Sequence, residues 1–279
     1  MPLLDRTARS AELTDSGHLL VQHAEQILAM VEAAESVLAA QTNLAVGEVS
    51  VTAFPTAAVA FAPALAHSLR EHTSMRLIVR QAFKGTGVSQ VSEGNSEIAL
   101  VDDWSGRTPD SQAGKLRFFH LLHDPMVLVV PEGHPMADQE RPVDLARLAN
   151  ESWLAAPRGE PSRRATDTLL AEVAGAPTTA WEFEGLGTIL SLVARGIGIA
   201  AVPSLALTAG TAGLGFRRLP GDAPMRDVYA VVRATSVRRP AINVTLQAIH
   251  SAAHDISQTL AEELPTESDA GSDAGSDEQ

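Results

Sequence analysis

Residues 46–81 read VGEVSVTAFPTAAVAFAPALAHSLREHTSMRLIVRQ. VGEVSVTAF has the character of a strand, TAAVAFAPALAHSLREH of a helix, and MRLIVRQ of a second strand. Pro55 stops the first strand and Thr56 is placed to cap the helix, whose first turn holds no acid. A strand, a helix and a strand in succession form a right-handed βαβ unit. The same rhythm continues in both directions, and it sets the expectation of an α/β fold on largely parallel sheets.

Downstream, GVSQVSEGN is a short helix and EIALVDD a strand, and LRFFHLLHDPMVLVVP is extended. VDLARLAN is helical, SWLAAP a strand, SRRATDTLLAEVAG a helix, TTAWEFEG a strand and LGTILSLVARG a helix. IGIAAVP is a strand, SLALTAG a short helix, and LGFRRLP and RDVYAVVRAT are strands. RPAINVTLQAIHSAAHDISQTLAEE closes the series as a long helix. Upstream, TDSGHLLVQHAEQILAMVEAAESVLAAQTN reads as another long helix with Thr14 as its cap and Asp15 in its first turn. Its apolar positions Leu20, Ala24, Ile27, Val31, Ala34 and Leu38 step by alternating fours and threes, a heptad seam suited to a partner helix. The competing reading is a helix lying on its own domain.

The totals narrow the function. At 279 residues about two domain-sized units are expected. Hydrophobic residues make up 45% and aromatics only 4%, so aliphatic side chains and alanine must build the core. There is no cysteine, which excludes disulfides, thiolate chemistry and cysteine-held metals from these residues. No secretory-type apolar segment or membrane-length run stands out, so a soluble, cytoplasmic protein is expected, with no membrane partner. The net charge of −13 opposes phosphate backbones, and after Arg6 and Arg9 no Lys or Arg occurs until Arg70. The tail 265–279 holds five acids and a repeated GSDA with no apolar anchor; it is expected to be disordered.

Catalytic signatures are missing. No G-x-S-x-G, H-E-x-x-H or G-x-x-x-x-G-K-[ST] occurs. Gly196, Gly198 and Ala201 imitate G-x-G-x-x-A, but they follow a helix and open a strand, the reverse of a dinucleotide site. His250 and His254 would share one helix face, but a third metal ligand is lacking, and solvated histidines are the simpler reading. Asp102 and Asp103 are strand neighbours on opposite faces, which leaves one of them for a cleft edge. A second helix start, APRGEPSRR at 156–164, places Arg163 and Arg164 in the first turn after Ser162, the expected cap. Basic groups there oppose the helix dipole unless an anion sits among them. Two ordinary helices with solvated arginines are the alternative.

These stretches resemble the LysR-type transcriptional regulators. PLLDRTARSAELTDSGHLL is similar to that family's wing and the start of its linker helix, through Leu3-Leu4-Asp5-Arg6 and Leu13-Thr14-Asp15-Ser16-Gly17, with Leu4 where the family usually has Phe. VGEVSVTAFPTAA resembles the first strand and helix of its effector domain. DPMVLVVPEGHPMA resembles the passage into the second subdomain, and LGTILSLVARGIGIAAVPS a late segment. The likeness runs from residue 2 to about 260. It implies two Rossmann-like subdomains of the type 2 periplasmic-binding-protein kind, preceded by a long linker helix.

The implied organisation is a remnant of the winged-helix DNA-binding domain at 1–13, a dimerising linker helix at 14–44, an effector domain at 45–264 and the tail at 265–279. Subdomain I would take about 45–119 and 226–264, and subdomain II about 120–225. The crossings would fall near 118–126 and 222–232, and the last helix would pack back on subdomain I. In the family a helix-turn-helix precedes the wing. Those residues would lie upstream of Met1, through a start codon assigned late or a shortened form, so these 279 residues are expected to hold promoter DNA weakly. Arg6, Thr7 and Arg9 would be the wing's DNA contacts. Pro55, Thr56 and Ala57 align with the ligand cleft, and Asp102, Arg158, Ser162, Arg163, Gly187 and Thr188 would line the rest. The family's effectors are often small anions, and its members form homodimers or homotetramers. The resemblance implies neither an enzyme nor a cofactor. A transport solute-binding protein and an enzyme on the same scaffold are the competing functions.

Overall fold

The computed structural model describes residues 2–6, 11–21, 23–24, 27, 30–31, 34, 45–82, 85–107, 114–137, 143–171 and 179–264. At the start, β1 (Leu4–Arg6) and β2 (Ala11–Leu13) pair antiparallel, with Leu4 opposite Leu13. Thr14 then ties the hairpin to the helix. Its N–H donates to Leu3 O at 3.1 Å and its hydroxyl to Pro2 O at 2.9 Å, while Oγ1 accepts from the Gly17 N–H at 3.1 Å. This satisfies one orphan donor of the first turn, as expected for a threonine cap. Gly17 is required here, because a Cβ would lie 2.2 Å from Leu3 O. The described positions between 15 and 34 are helical.

The βαβ unit is present as read: β3 (Gly47–Ala53), α1 (Pro55–Ser68) and β4 (Met75–Gln81), with β3 and β4 parallel in unbroken register. α2 (Gly87–Ser92) leads to β5 (Ile98–Asp103), parallel to β3. β6 (Leu116–Pro131) carries the chain out of this sheet, and β11 (Met225–Arg233) brings it back. Both crossing strands run antiparallel to their neighbours, so the first sheet, ordered β4-β3-β5-β11-β6, is parallel only on one side. That corrects the expectation of largely parallel sheets. The cause is the return of the chain, which must re-enter beside the strand by which it left.

The far half of β6 pairs with β9 (Ile199–Pro203) and β10 (Leu214–Arg218), and β9 continues to β7 (Trp153–Ala155) and β8 (Thr179–Glu182). α3 (Pro161–Ala171) and α4 (Leu186–Val193) flank this second sheet. Strand parity divides its core. Met126, Leu128, Val130, Trp153 and Ile199 face one side, and Val127, Val129, Leu154 and Ala200 the other. The segments expected as helices at 143–150 and 204–210 are short 3₁₀ segments, Leu145–Leu148 and Ser204–Ala209.

The last helix, α5 (Pro240–Glu263), packs on the first core as expected and then runs beyond it. Ala241, Ile242, Leu246, Ile249 and Ala253 pack with Val51, Phe61 and Leu65 in the first core. Leu260 and Leu264 belong instead to the core of the second sheet, with Val202 and Leu207. At 24 residues and about 1.5 Å per residue the helix is long enough to bridge both halves. The false dinucleotide motif also has a structural origin. Gly196 takes φ 76° at the end of α4, and a Cβ on Gly198 would lie 2.1 Å from Ser152 O, where β9 meets the strand beside it.

Candidate functional site

The two crossing strands and the first βα junction meet at one side chain, Arg226, whose residue is 5% exposed. Its Nε donates to Asp124 Oδ2 at 2.8 Å, Nη1 to Asp102 Oδ2 at 3.1 Å and Nη2 to Thr56 Oγ1 at 2.9 Å. The guanidinium lies 4.7 Å from the Phe54 ring centre and 5.7 Å from that of Trp104, so its flat faces are covered by aromatic rings. Asp124 is fully buried and accepts from Ser204 Oγ at 2.9 Å and Leu205 N–H at 2.8 Å through its other oxygen. Trp104 Nε1 donates to Asp102 at 2.9 Å. One arginine thus joins β5, β6, β11 and the start of α1.

This cluster has two carboxylates to one guanidinium, so it is not an anion receptor on its own. Thr56 supplies the open valence. Its oxygen already accepts from Arg226, which leaves the hydroxyl proton to donate, and no acceptor for that proton occurs among the described residues. The helix behind it has no side-chain cap. Thr56 was expected to be that cap, but α1 starts at Pro55, and Phe54 holds the capping position with φ −66° and ψ 158°. Proline fits the first helical position because its missing N–H is not needed there. Likewise α3 starts at Pro161, with Ser162 inside the first turn.

Two expected contacts are corrected by burial and pairing. Ala57 is fully buried in the first core, which leaves it no surface for a ligand. Arg163 does not await an anion. It is 5% exposed, and it donates to Asp167 Oδ1 at 2.7 Å, Glu182 Oε1 at 2.6 Å and Ala156 O at 3.2 Å. The hydrogen bond that Arg163 donates to Glu182 raises the guanidinium pKa, burial opposes this, and Asp167 adds to the rise. Acids later in the chain, not a ligand, explain a basic residue at that helix start. Arg158, by contrast, is exposed, with Nε 3.9 Å from Glu182 Oε1.

Pro55, Gly187 and Thr188 are exposed, and Ser162 is half-buried. Thus Thr56 and Asp102 are joined through Arg226, while among the described residues no hydrogen bond or ion pair links them to Arg158, Ser162, Gly187 or Thr188. Gly187 also borders a shallow depression of about 280 Å³ with Ser191, Arg195 and Gly210. Arg226, Asp124, Phe54 and Trp104 are the site residues that sequence reasoning misses. Only charged residues set beside the apolar runs of the two crossing strands hint at them. Arg6 lies on β1; Thr7, Arg9 and Leu38 fall outside the described residues. Leu20, Ala24, Ile27, Val31 and Ala34 are exposed, with Ile27 at 57% and Met30 beside it at 65%. His250 donates to Leu246 O at 2.8 Å, and His254 pairs with Gln258 at 3.0 Å, so the two rings do not converge on a shared ion.

Comparison with known proteins matches the LysR substrate binding domain over residues 42–253. Among curated relatives, the HTH-type transcriptional regulator YybE of Bacillus subtilis (strain 168) is 23% identical over 74% of this chain and 68% of its own length. The DNA-binding transcriptional dual regulator OxyR of Escherichia coli (strain K12) is 26% identical, over 89% and 80%. The chain spans about half to four fifths of such relatives' lengths. Among solved structures, a full-length OxyR variant from Pseudomonas aeruginosa superposes with a TM-score of 0.68 at 21% identity, covering 89% of this chain and 82% of that one. CbnR, a LysR family transcriptional regulator, gives 0.59 at 21%, covering 88% and 84%. These relatives are transcriptional regulators rather than enzymes, and with its family model matched over most of its length this chain belongs to the LysR family.

Proposed function

We propose that this chain is the ligand-sensing part of a LysR-type transcriptional regulator and that its effector binds at the Thr56 end of α1, between subdomain I (45–119 and 226–264) and subdomain II (120–225). The observation that carries this is the Thr56 hydroxyl. It stands at an uncapped helix start, holds a proton to donate, and is tied through Arg226 to both strands that connect the halves. A ligand that takes this proton must be an acceptor there, as a carboxylate, carbonyl or hydroxyl oxygen is. The helix dipole favours an anion, and the exposed Arg158 is the proposed second contact. A ligand that contacts both halves differently in two arrangements shifts the balance between them. Promoter DNA is the proposed macromolecular partner of the whole regulator. The exposed stripe Leu20, Ile27 and Val31 is proposed to seat on a second copy, as homodimer or homotetramer.

Several relatives are described as hydrogen peroxide-inducible activators. Peroxide sensing by thiolate oxidation needs a cysteine, and these 279 residues hold none, so a bound metabolite is the proposed signal. Calorimetric titration with a panel of small organic acids and their neutral amides tests the site. Thr56→Val should weaken a binding acid by about 1–2 kcal/mol, the worth of one hydrogen bond. An acid that binds with equal affinity to the parent and to both Thr56→Val and Arg158→Ala would refute the placement.

A further inference from the structure

Adjacent residues on a strand face opposite ways, and three adjacent pairs on β5, β6 and β11 sort by this rule. Asp102, Asp124 and Arg226 make the buried cluster on one face. Asp103, His123 and Asp227 make a row on the other: Asp227 is opposite His123 on β6 and opposite Asp103 on β5. His120 completes the second group. One oxygen, Asp227 Oδ1, lies 2.6 Å from His123 Nδ1 and 3.1 Å from His120 Nε2. The two imidazole rings are 4.5 Å apart between centres.

We propose that His120, His123 and Asp227 form a binding site for a divalent first-row transition ion such as Zn²⁺. The three ligand atoms lie within 4.8 Å of one another. A tetrahedral ion with bonds of about 2.0–2.2 Å spaces its ligand atoms about 3.3–3.6 Å apart, so small side-chain rotations seat it. Two imidazoles and one carboxylate, with a position left for water, suit zinc, nickel or copper better than magnesium or calcium.

Charge gives an independent argument. Asp103 and Asp227 are like charges directly across a strand pair, an arrangement that destabilises a sheet. No lysine or arginine is ion-paired with either carboxylate among the described residues. A dication held between two imidazoles would offset the two facing carboxylates. Asp103 already accepts from Ser105 Oγ at 2.7 Å, which places it as an outer partner rather than a ligand. Tyr229 stands edge-on to His120 with centres 5.3 Å apart and holds that ring from behind. The ion would clip β6 to β11 back to back with the Arg226 cluster, on the strands that join the two halves.

The test uses the full chain and does not depend on the effector. Zn²⁺ titrated against a chromophoric competing chelator should bind one equivalent per chain. Co²⁺ in its place should give the visible absorption of a four-coordinate site. His120→Ala, His123→Ala and Asp227→Asn should each weaken Zn²⁺ at least tenfold, while His254→Ala should not. Zn²⁺ should raise the melting temperature of the parent and not that of His123→Ala; circular dichroism establishes that the variants are folded. Absence of a bound equivalent in the parent, or affinity unchanged in both histidine variants, would overturn the assignment.

Discussion

Arg226→Met is the most informative perturbation of the buried cluster. The substitution keeps the stem length and removes the charge and three donors. Asp124, fully buried, then loses its counter-ion and retains only Ser204 Oγ and Leu205 N–H, both on the oxygen that does not face Arg226. Breaking a buried pair from one side costs about 3–5 kcal/mol, because the remaining charge is left uncompensated in a dry site. For a chain of this size that amounts to a fall of roughly 10 °C in melting temperature, at about 2–4 °C per kcal/mol. Urea unfolding followed by tryptophan fluorescence reads it, since Trp104 lies beside the cluster and Trp153 in the second core. Asp124→Asn provides the control. An asparagine keeps an oxygen for Ser204 and Leu205 and presents an amide where the second carboxylate oxygen was. Arg226→Met with Asp124→Asn should therefore recover at least half of the loss, a coupling that a double-mutant cycle isolates. A loss under about 1 kcal/mol for the single change, or simple addition in the double, would refute the view of a desolvated, mutually dependent pair.

Four further outcomes follow from the same contacts. Arg163→Met should destabilise the protein by about 2–3 kcal/mol, as hydrogen bonds between charged groups are lost, and leave effector affinity unchanged; a drop in affinity at constant stability would return Arg163 to the cleft. Ile27→Asp should give a smaller species by light scattering, because it puts a charge into an apolar contact; an unchanged mass in a folded variant would move the interface elsewhere. Truncation after Leu264 should leave the melting temperature within about 2 °C, since 265–279 offers only Pro265 and two alanines as apolar side chains. Tyr229 is the chain's only tyrosine, and burial first, then Asp227 and Asp103, push its phenol up from the ordinary value. Its stabilising contribution is complete below about pH 10 and lost as pH rises through the folded value, and an ultraviolet titration should show ionisation at lower pH in Asp227→Asn.

The alternation of strands and helices is legible because each element carries its own period and its own punctuation. Pro55 ends a strand and Pro240 opens a helix, and both stand at first helical positions. Short helices are less legible. LARL and SLALTA have helical composition, yet at four and six residues each is too short to repay the nucleation of an α-helix, so both settle as short 3₁₀ segments. The destination of α5 is likewise hidden. Its apolar positions specify a buried face, but not that Leu260 and Leu264 meet a different core from Ile242 and Ile249.

The candidate site shows where local reading stops. Asp102 and Asp103 are adjacent, as are His123 and Asp124, and Arg226 and Asp227. Parity alone requires each pair to divide between two faces. It does not say which members share a face, because that depends on the register between strands more than 100 residues apart in the chain. Once Asp227 is paired with His123 and with Asp103, all three pairs resolve together. Arg226 must then meet Asp124 and Asp102 on the side of Thr56, and Asp227 must meet His120 and His123 on the other. A one-residue slip of β11 would reverse Arg226 and Asp227, burying an acid against Asp124 and exposing the arginine. The buried carboxylate therefore acts as a register pin for the strands that join the two halves. The Arg226 cluster and the His120–His123–Asp227 group thus sit back to back on the same two strands, held by one register.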